Sequence, residues 1–198
     1  MDITPLSIEG AWAITPKQHG DDRGVFLEVF KQTRFHESVG HDLSLAQANC
    51  SVSAAGTVRG IHFADLPPGQ AKYITCLSGA VLDVIVDIRV GSPTFGEWTS
   101  VVLDTKHRRS VYLSEGLGHG FAALESGATV MYLCSAQYSP TGEHEINPLD
   151  PALGIDWQVP AADVALSSKD AAAPSLAEAA AQGLLPDYGK VQGFRSQL

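Results

Sequence analysis

Between residues 46 and 146 the chain is a run of short apolar and polar stretches, each closed by turn-forming residues, and this pattern leaves few folds open. Strands are read over 46–53, 57–63, 71–77, 80–88, 98–103, 109–113, 119–124, 129–136 and 142–146, where β-branched residues are frequent and several runs alternate. Gly79, Gly91-Ser92-Pro93, Ser114-Glu115-Gly116 and Ser126-Gly127 separate them. Nine short strands at close spacing predict a mainly β core over about 46–147, either a sandwich or a jelly-roll barrel. Helix signals are few. Residues 33–39 suit a short helix, and Ser175 followed by Glu178 forms a capping-box pattern ahead of the Ala-rich run Leu176–Gln182. Gly183 can end that run, and Pro186 limits its continuation. The expectation is one domain over 1–198, with an irregular N-terminal arm over about 1–45 and a C-terminal tail over about 148–198 carrying one helix.

A chain of 198 residues can hide about 70% of its extended surface, enough for a real core. No apolar run approaches the ~20 residues needed to span a bilayer, and MDITPLSIEG lacks the basic and apolar regions of a signal peptide, so the sequence places the chain in the cytoplasm, off the membrane. The net charge of −9, with 13 Lys and Arg, argues against nucleic acid as a partner. A small phosphorylated ligand needs only a few well-placed cations and stays open. Cys50, Cys76 and Cys134 form no CxxC pair and read as buried apolar residues.

Among seven His residues, His62 and His119 stand out, because VRGIHF and GLGHGF embed them in apolar segments. A histidine there is by default a satisfied core residue. Its company points elsewhere. Arg59 precedes His62 by three residues and Lys72 lies on the following strand, and burying a cation without a partner is expensive. Strict alternation puts Arg59 and His62 on opposite faces. Gly60 between them permits a bulge that turns both inward. Gln47 and Asn49 share one face of QANCSVS, as in a polar cavity or on a solvated strand. A metal is not expected: His62 is followed by Phe63 and Ala64 instead of a second histidine at the His-x-His spacing, leaving His119 as the one plausible later ligand. No GxGxxG, P-loop or GxSxG motif is present.

The segments DDRGVFLEVF (21–30), QANCSVS (47–53), VRGIHF (58–63), PPGQAKYITCLSGAVLDVIVDIR (67–89), GSPTFGEW (91–98), YLSEGLGHGFAALE (112–125), VMYLCSAQYSP (130–140), NPLDPALGIDW (147–157) and LSSKD (166–170) together resemble the dTDP-4-dehydrorhamnose 3,5-epimerase family. The resemblance implies a cupin-like jelly roll, a homodimer, no metal or organic cofactor, and dTDP-4-keto-6-deoxy-D-glucose as substrate. Carried over by position, it makes His62 the base, Asp170 its carboxylate partner, Tyr132 the acid on the opposite face of the sugar and Lys72 the support for the negative oxygen. Arg23, Phe26, Glu28, Gln47, Asn49, Arg59, Lys72, His119, Glu143 and Lys169 would hold the substrate. Lys169 stands where many relatives have Arg, which keeps the charge and loses the bidentate fork.

These groups suit the chemistry. Removing a hydrogen next to a ketone leaves an enolate whose charge sits mainly on the ketone oxygen, so a base needs an oxyanion partner. Histidine works as the base because its ordinary pKa lies near ~6.5. Inversion needs a second group on the far side, and a phenol is a weak acid able to protonate carbon. Two other readings share these motifs: an epimerase acting at C3 or C5 alone, and a cupin-fold sugar-nucleotide binding protein without the proton chemistry.

Overall fold

Two antiparallel sheets face each other in the computed structural model, which describes residues 1–198. The elements in chain order are β1 (Asp2–Pro5), β2 (Ala11–Thr15), β3 (Gln18–Asp21), β4 (Gly24–Leu27), α1 (Gln32–Val39), β5 (Gln47–Ser53), β6 (Val58–Ala64), β7 (Lys72–Ser78), β8 (Ala80–Val86), β9 (Trp98–Asp104), β10 (Ser110–Leu113), β11 (Gly118–Ala123), β12 (Ala128–Cys134) and β13 (Glu143–Glu145). A 3₁₀ turn (Ala161–Asp163) and the helices α2 (Ser168–Ala171), α3 (Leu176–Ala181) and α4 (Tyr188–Arg195) follow. One sheet has the order β1-β2-β10-β7-β12-β5 and the other β13-β6-β11-β8-β9; β3 and β4 form a separate hairpin. This is the expected mainly β, cupin-like jelly roll. No helix is long and apolar enough to cross a membrane.

Alternation decides what each sheet buries. Ile74, Cys76, Val111, Leu113 and Val130 of the six-stranded sheet meet Val81, Ile85, Leu103 and Phe121 of the five-stranded sheet in the space between them. The outer face of the five-stranded sheet presents Val58, Ile61, Leu82, Val84 and Val86 to Trp157, Leu176 and Ala179 of the C-terminal segment. Strand β8 is therefore covered on both sides and every residue of AVLDVIV is buried, which is why it reads as an apolar run interrupted only by Asp83. The outer face of the six-stranded sheet packs Tyr73 and Tyr112 against Phe35 of α1.

Two expectations need correction. The N-terminal arm is not irregular: β1 and β2 extend the six-stranded sheet, with Ile3 opposite Ile14 and Tyr112 opposite Trp12. They are four and five residues long and broken by Pro5, Gly10 and Pro16, too short for a periodic signal. The tail carries three helices and not one. The capping box at Ser175 and Glu178 forms as expected. Beyond Pro186, Asp187 caps a new helix by accepting from the Lys190 amide, so the proline ends one element without stopping the next.

The bulge foreseen at Gly60 is present. His62 pairs with His119 and Arg59 with Phe121, so two residues of β6, Gly60 and Ile61, stand opposite the single Gly120 of β11. Cross-strand partners share a face, and His119 and Phe121 lie on the same face of β11. Arg59 and His62 therefore both turn to the inner side. Gly60 adopts φ +132°, and a Cβ added there would sit 2.5 Å from the Gly120 Cα and 2.8 Å from the His119 carbonyl oxygen. Both neighbours are backbone and cannot swing away. Gly60→Ala is expected to destabilise the fold by about 2–3 kcal/mol, read as a lower urea midpoint, and to cut activity in the protein that still folds. A wild-type midpoint would show that the bulge tolerates a side chain.

Candidate active site

A cavity of about 400 Å3 opens between the sheets, lined by Gln47, Asn49, Lys72 and Tyr132 on one side and His62 and Glu143 on the other. Register brings them together. On the six-stranded sheet Tyr132 lies opposite Asn49, and Cys134 opposite both Gln47 and Lys72. On the five-stranded sheet Glu143 pairs with Ala64 and Glu145 with His62, so both glutamates share the inner face with the imidazole.

His62 Nε2 lies 2.7 Å from Asp170 Oδ1, 108 residues further along the chain. The helix α2 delivers that carboxylate: Ser167 caps it by accepting from the Asp170 amide at 3.0 Å, and Asp170 is only 3% exposed. Burial alone would push the Asp170 carboxyl up, but the hydrogen bond and charge of His62, with help from Ser167 and Lys169, hold it below the usual aspartate value. An ionised carboxylate is an acceptor only, so Nε2 carries the proton and donates to Asp170, and the lone pair of the neutral ring lies on Nδ1.

Lys72 is 8% exposed. Burial pushes its ammonium below the ordinary lysine value, while the acidic groups of Glu143, Cys134 and Asp83 oppose that shift. Burial also raises the Tyr132 phenol above its ordinary value, and Cys134 adds to this, whereas the Arg59 guanidinium pulls it back. The polar side chains of β5 are tied in a chain: Tyr138 N–H donates to Gln47 Oε1 at 2.9 Å, Gln47 Nε2 to Asn49 Oδ1 at 2.8 Å, and Asn49 Nδ2 to Cys134 Sγ at 3.8 Å. The aromatic ring of Tyr138 completes the cavity wall and is half exposed.

The remaining residues singled out from the sequence divide into two groups. His119 stands next to His62 in the sheet and bonds buried Asp83 through Nε2 at 2.9 Å. Arg59 donates to the Ser53 hydroxyl at 3.3 Å, and Lys169 forms an ion pair with Glu145, the residue opposite His62. His119, Arg59 and Lys169 do not line the cavity itself but bond or pair beside residues that do, whereas the structure gives Arg23, Phe26 and Glu28 no such link to it. Arg23 and Phe26 belong to the β3–β4 hairpin, which joins neither sheet. The Arg23 side chain is 90% exposed and folds back on Asp21, Phe26 is 70% exposed, and Glu28 pairs with Lys31 at 3.2 Å. Sequence reasoning missed Cys50 and Gln70, which also line the cavity, and Asp83, Cys134 and Ser167, which bond the residues around it. Only Asp83 carried a signal, as the one charge inside AVLDVIV.

The arrangement provides an imidazole with a carboxylate behind it, a phenol on the facing sheet and a buried ammonium, groups of the kind an enolate mechanism uses. Comparison with known proteins points the same way. Residues 5–178 match the family model described as dTDP-4-dehydrorhamnose 3,5-epimerase. The chain is 57% identical to a dTDP-4-dehydrorhamnose 3,5-epimerase of Mycolicibacterium smegmatis, over 98% of this chain and 95% of that one. It superposes on an epimerase structure from Mycobacterium tuberculosis with a TM-score of 0.96 and 53% identity, covering 100% of this chain and 99% of the other. It is also similar to a 3'-monoepimerase from Streptomyces bikiniensis solved in complex with dTDP-quinovose, with a TM-score of 0.93, 49% identity and coverage of 98% and 97%.

Proposed function

The chain belongs to the dTDP-4-dehydrorhamnose 3,5-epimerase family, and from that premise we propose that it inverts C3 and C5 of dTDP-4-keto-6-deoxy-D-glucose, giving dTDP-4-keto-L-rhamnose. The observation that carries this reading is the His62–Asp170 pair, 2.7 Å apart, set in a cavity whose facing wall holds Tyr132 and Lys72. His62 removes the proton beside the C4 ketone. Asp170 fixes the ring and stabilises the imidazolium that forms. Charge moves onto the C4 oxygen, where Lys72 meets it; a buried ammonium is effective there because the surroundings screen it little. Tyr132 returns a proton from the opposite face, and the sequence repeats at the second carbon.

Arg59, Lys169, Gln47, Asn49, Glu143 and His119 are assigned to holding the sugar and its diphosphate, and Tyr138 offers a ring on which a base can stack. The reading extends to a homodimer. Arg23, Phe26 and Glu28, carried at or beside an exposed hairpin away from their own cavity, are assigned to nucleotide binding at the cavity of a second copy. Sedimentation should then give twice the chain mass of 21.0 kDa; a monomer at micromolar concentration would remove these three residues from the site.

The test is incubation with dTDP-4-keto-6-deoxy-D-glucose in D2O followed by NMR. Deuterium at C3 and C5 is expected. Likeness to a 3'-monoepimerase makes inversion at C3 alone the second reading, and label confined to C3 would select it. An unlabelled, unchanged sugar that still binds would leave a binding protein.

A further inference from the structure

Two carboxylates interrupt the otherwise apolar segment from β8 to residue 89, and they are satisfied very differently. Asp87 is fully bonded: Arg89 donates from its backbone N–H, Nε and one terminal nitrogen, and the Ser92 and Thr94 hydroxyls donate to Oδ2 at 2.6 Å each. That is a structural network. Asp83 is 1% exposed, and its Oδ2 has one partner, His119 Nε2 at 2.9 Å, while its Oδ1 has none in the protein. Burying a carboxylate this sparsely bonded is costly for the fold alone. Its surroundings explain its position. Asp83 lies opposite Phe121 in the β8–β11 pairing, hence on the inner face with His119 and His62. Two imidazole–carboxylate pairs stand side by side there, and Lys72 is close enough to feel the charge of Asp83.

We propose that Asp83 is a positioning residue of the reaction, holding the His119 imidazole by its Nε2 proton beside the catalytic His62 and supplying part of the negative field in which the Lys72 ammonium sits. The proposal rests on the enolate reading above and deepens it. The titratable groups that share the cavity wall with Lys72 are Glu143 from β13, Tyr132 from β12, Tyr138 beyond it, Cys50 from β5 and His62 from β6; Cys134, its cross-strand neighbour, and Asp83, on the inner face of the opposite sheet, act on it from beside the cavity. Of these, Glu143, Cys134 and Asp83 are the acids that oppose the loss of its proton. Removing the Asp83 charge lets burial lower the Lys72 pKa further, so the ammonium disappears at a lower pH and the enolate loses its partner.

Asp83→Asn keeps the shape and an acceptor for His119 while deleting the charge. It is expected to lower kcat about tenfold, below the ~10²–10³-fold loss for removing an oxyanion donor outright. KM should stay within about twofold if binding is untouched. The alkaline limb of the kcat–pH profile should move to lower pH, and deuterium wash-in should slow in proportion to turnover because enolate formation itself is affected. A variant with wild-type kcat per folded molecule and an unmoved alkaline limb, whatever its melting temperature, would reduce Asp83 to packing. Should the variant not fold, ¹⁵N NMR of the wild-type His119 ring decides: a proton on Nε2 in a hydrogen bond is expected, and a ring protonated only on Nδ1 would overturn the assignment. Wild-type protein that produces no wash-in at all would refute the enolate reading instead.

Discussion

His62→Asn is expected to eliminate both solvent-deuterium wash-in and net inversion, with kcat falling by roughly 10²–10⁴-fold, the contribution of a positioned general base. Asparagine keeps a polar group of similar reach and leaves Asp170 an amide to bond, so the tail stays docked and the cavity keeps its shape. What disappears is a group that can carry the proton. Because nothing upstream of the enolate survives, exchange and inversion must fall together. Asp170→Asn gives the complementary result: the imidazole remains but its ring loses the carboxylate that orients it across 2.7 Å, so activity should fall less far and wash-in should persist at a reduced rate. If His62→Asn still exchanged deuterium at the wild-type rate, the base would have to be sought elsewhere on the cavity wall.

The barrel was legible because β5 to β13 obey local rules. Alternation, β-branching and Gly-rich turns marked each strand to within about two residues, the usual uncertainty of element ends. The bulge was legible from one glycine between two charged residues, since no side chain fits against the Gly120 backbone. What stayed hidden depends on long-range pairing. β1 and β2 are too short to show a period; β1 pairs only with β2, and β2 is anchored by β10 across nearly a hundred residues. α4 begins behind a proline that reads locally as a stop. The His62–Asp170 pair illustrates both sides. His62 stood out from its apolar surroundings, whereas Asp170, capped by Ser167 at the start of a four-residue helix, has the local signature of an ordinary helix start. Only resemblance linked it to His62. The hairpin residues mark a further boundary: an assignment carried over by position names Arg23 and Phe26, but the hairpin that bears them joins neither sheet and they do not line the cavity.

Tyr132→Phe separates the two halves of the reaction. The substitution deletes one hydroxyl from a ring that packs against the interior core and leaves Asn49 and Lys72 in place on the neighbouring strands, so the fold and the cavity should survive. With His62 intact, the proton still leaves the sugar carbon and can return from the same side after exchanging with solvent. Wash-in should therefore continue near the wild-type rate while inversion drops by about 10²-fold or more, within the range for loss of a general acid. NMR in D2O would show the distinctive product: recovered substrate carrying deuterium in its original configuration. The phenol's raised pKa, set chiefly by burial, keeps it protonated at neutral pH and ready to give its proton to the enolate. Parallel loss of exchange and inversion would mean the hydroxyl serves enolate formation, and no loss of either would make Tyr132 a packing residue. In both cases the proton delivered to the far face would have to come from another group or from water.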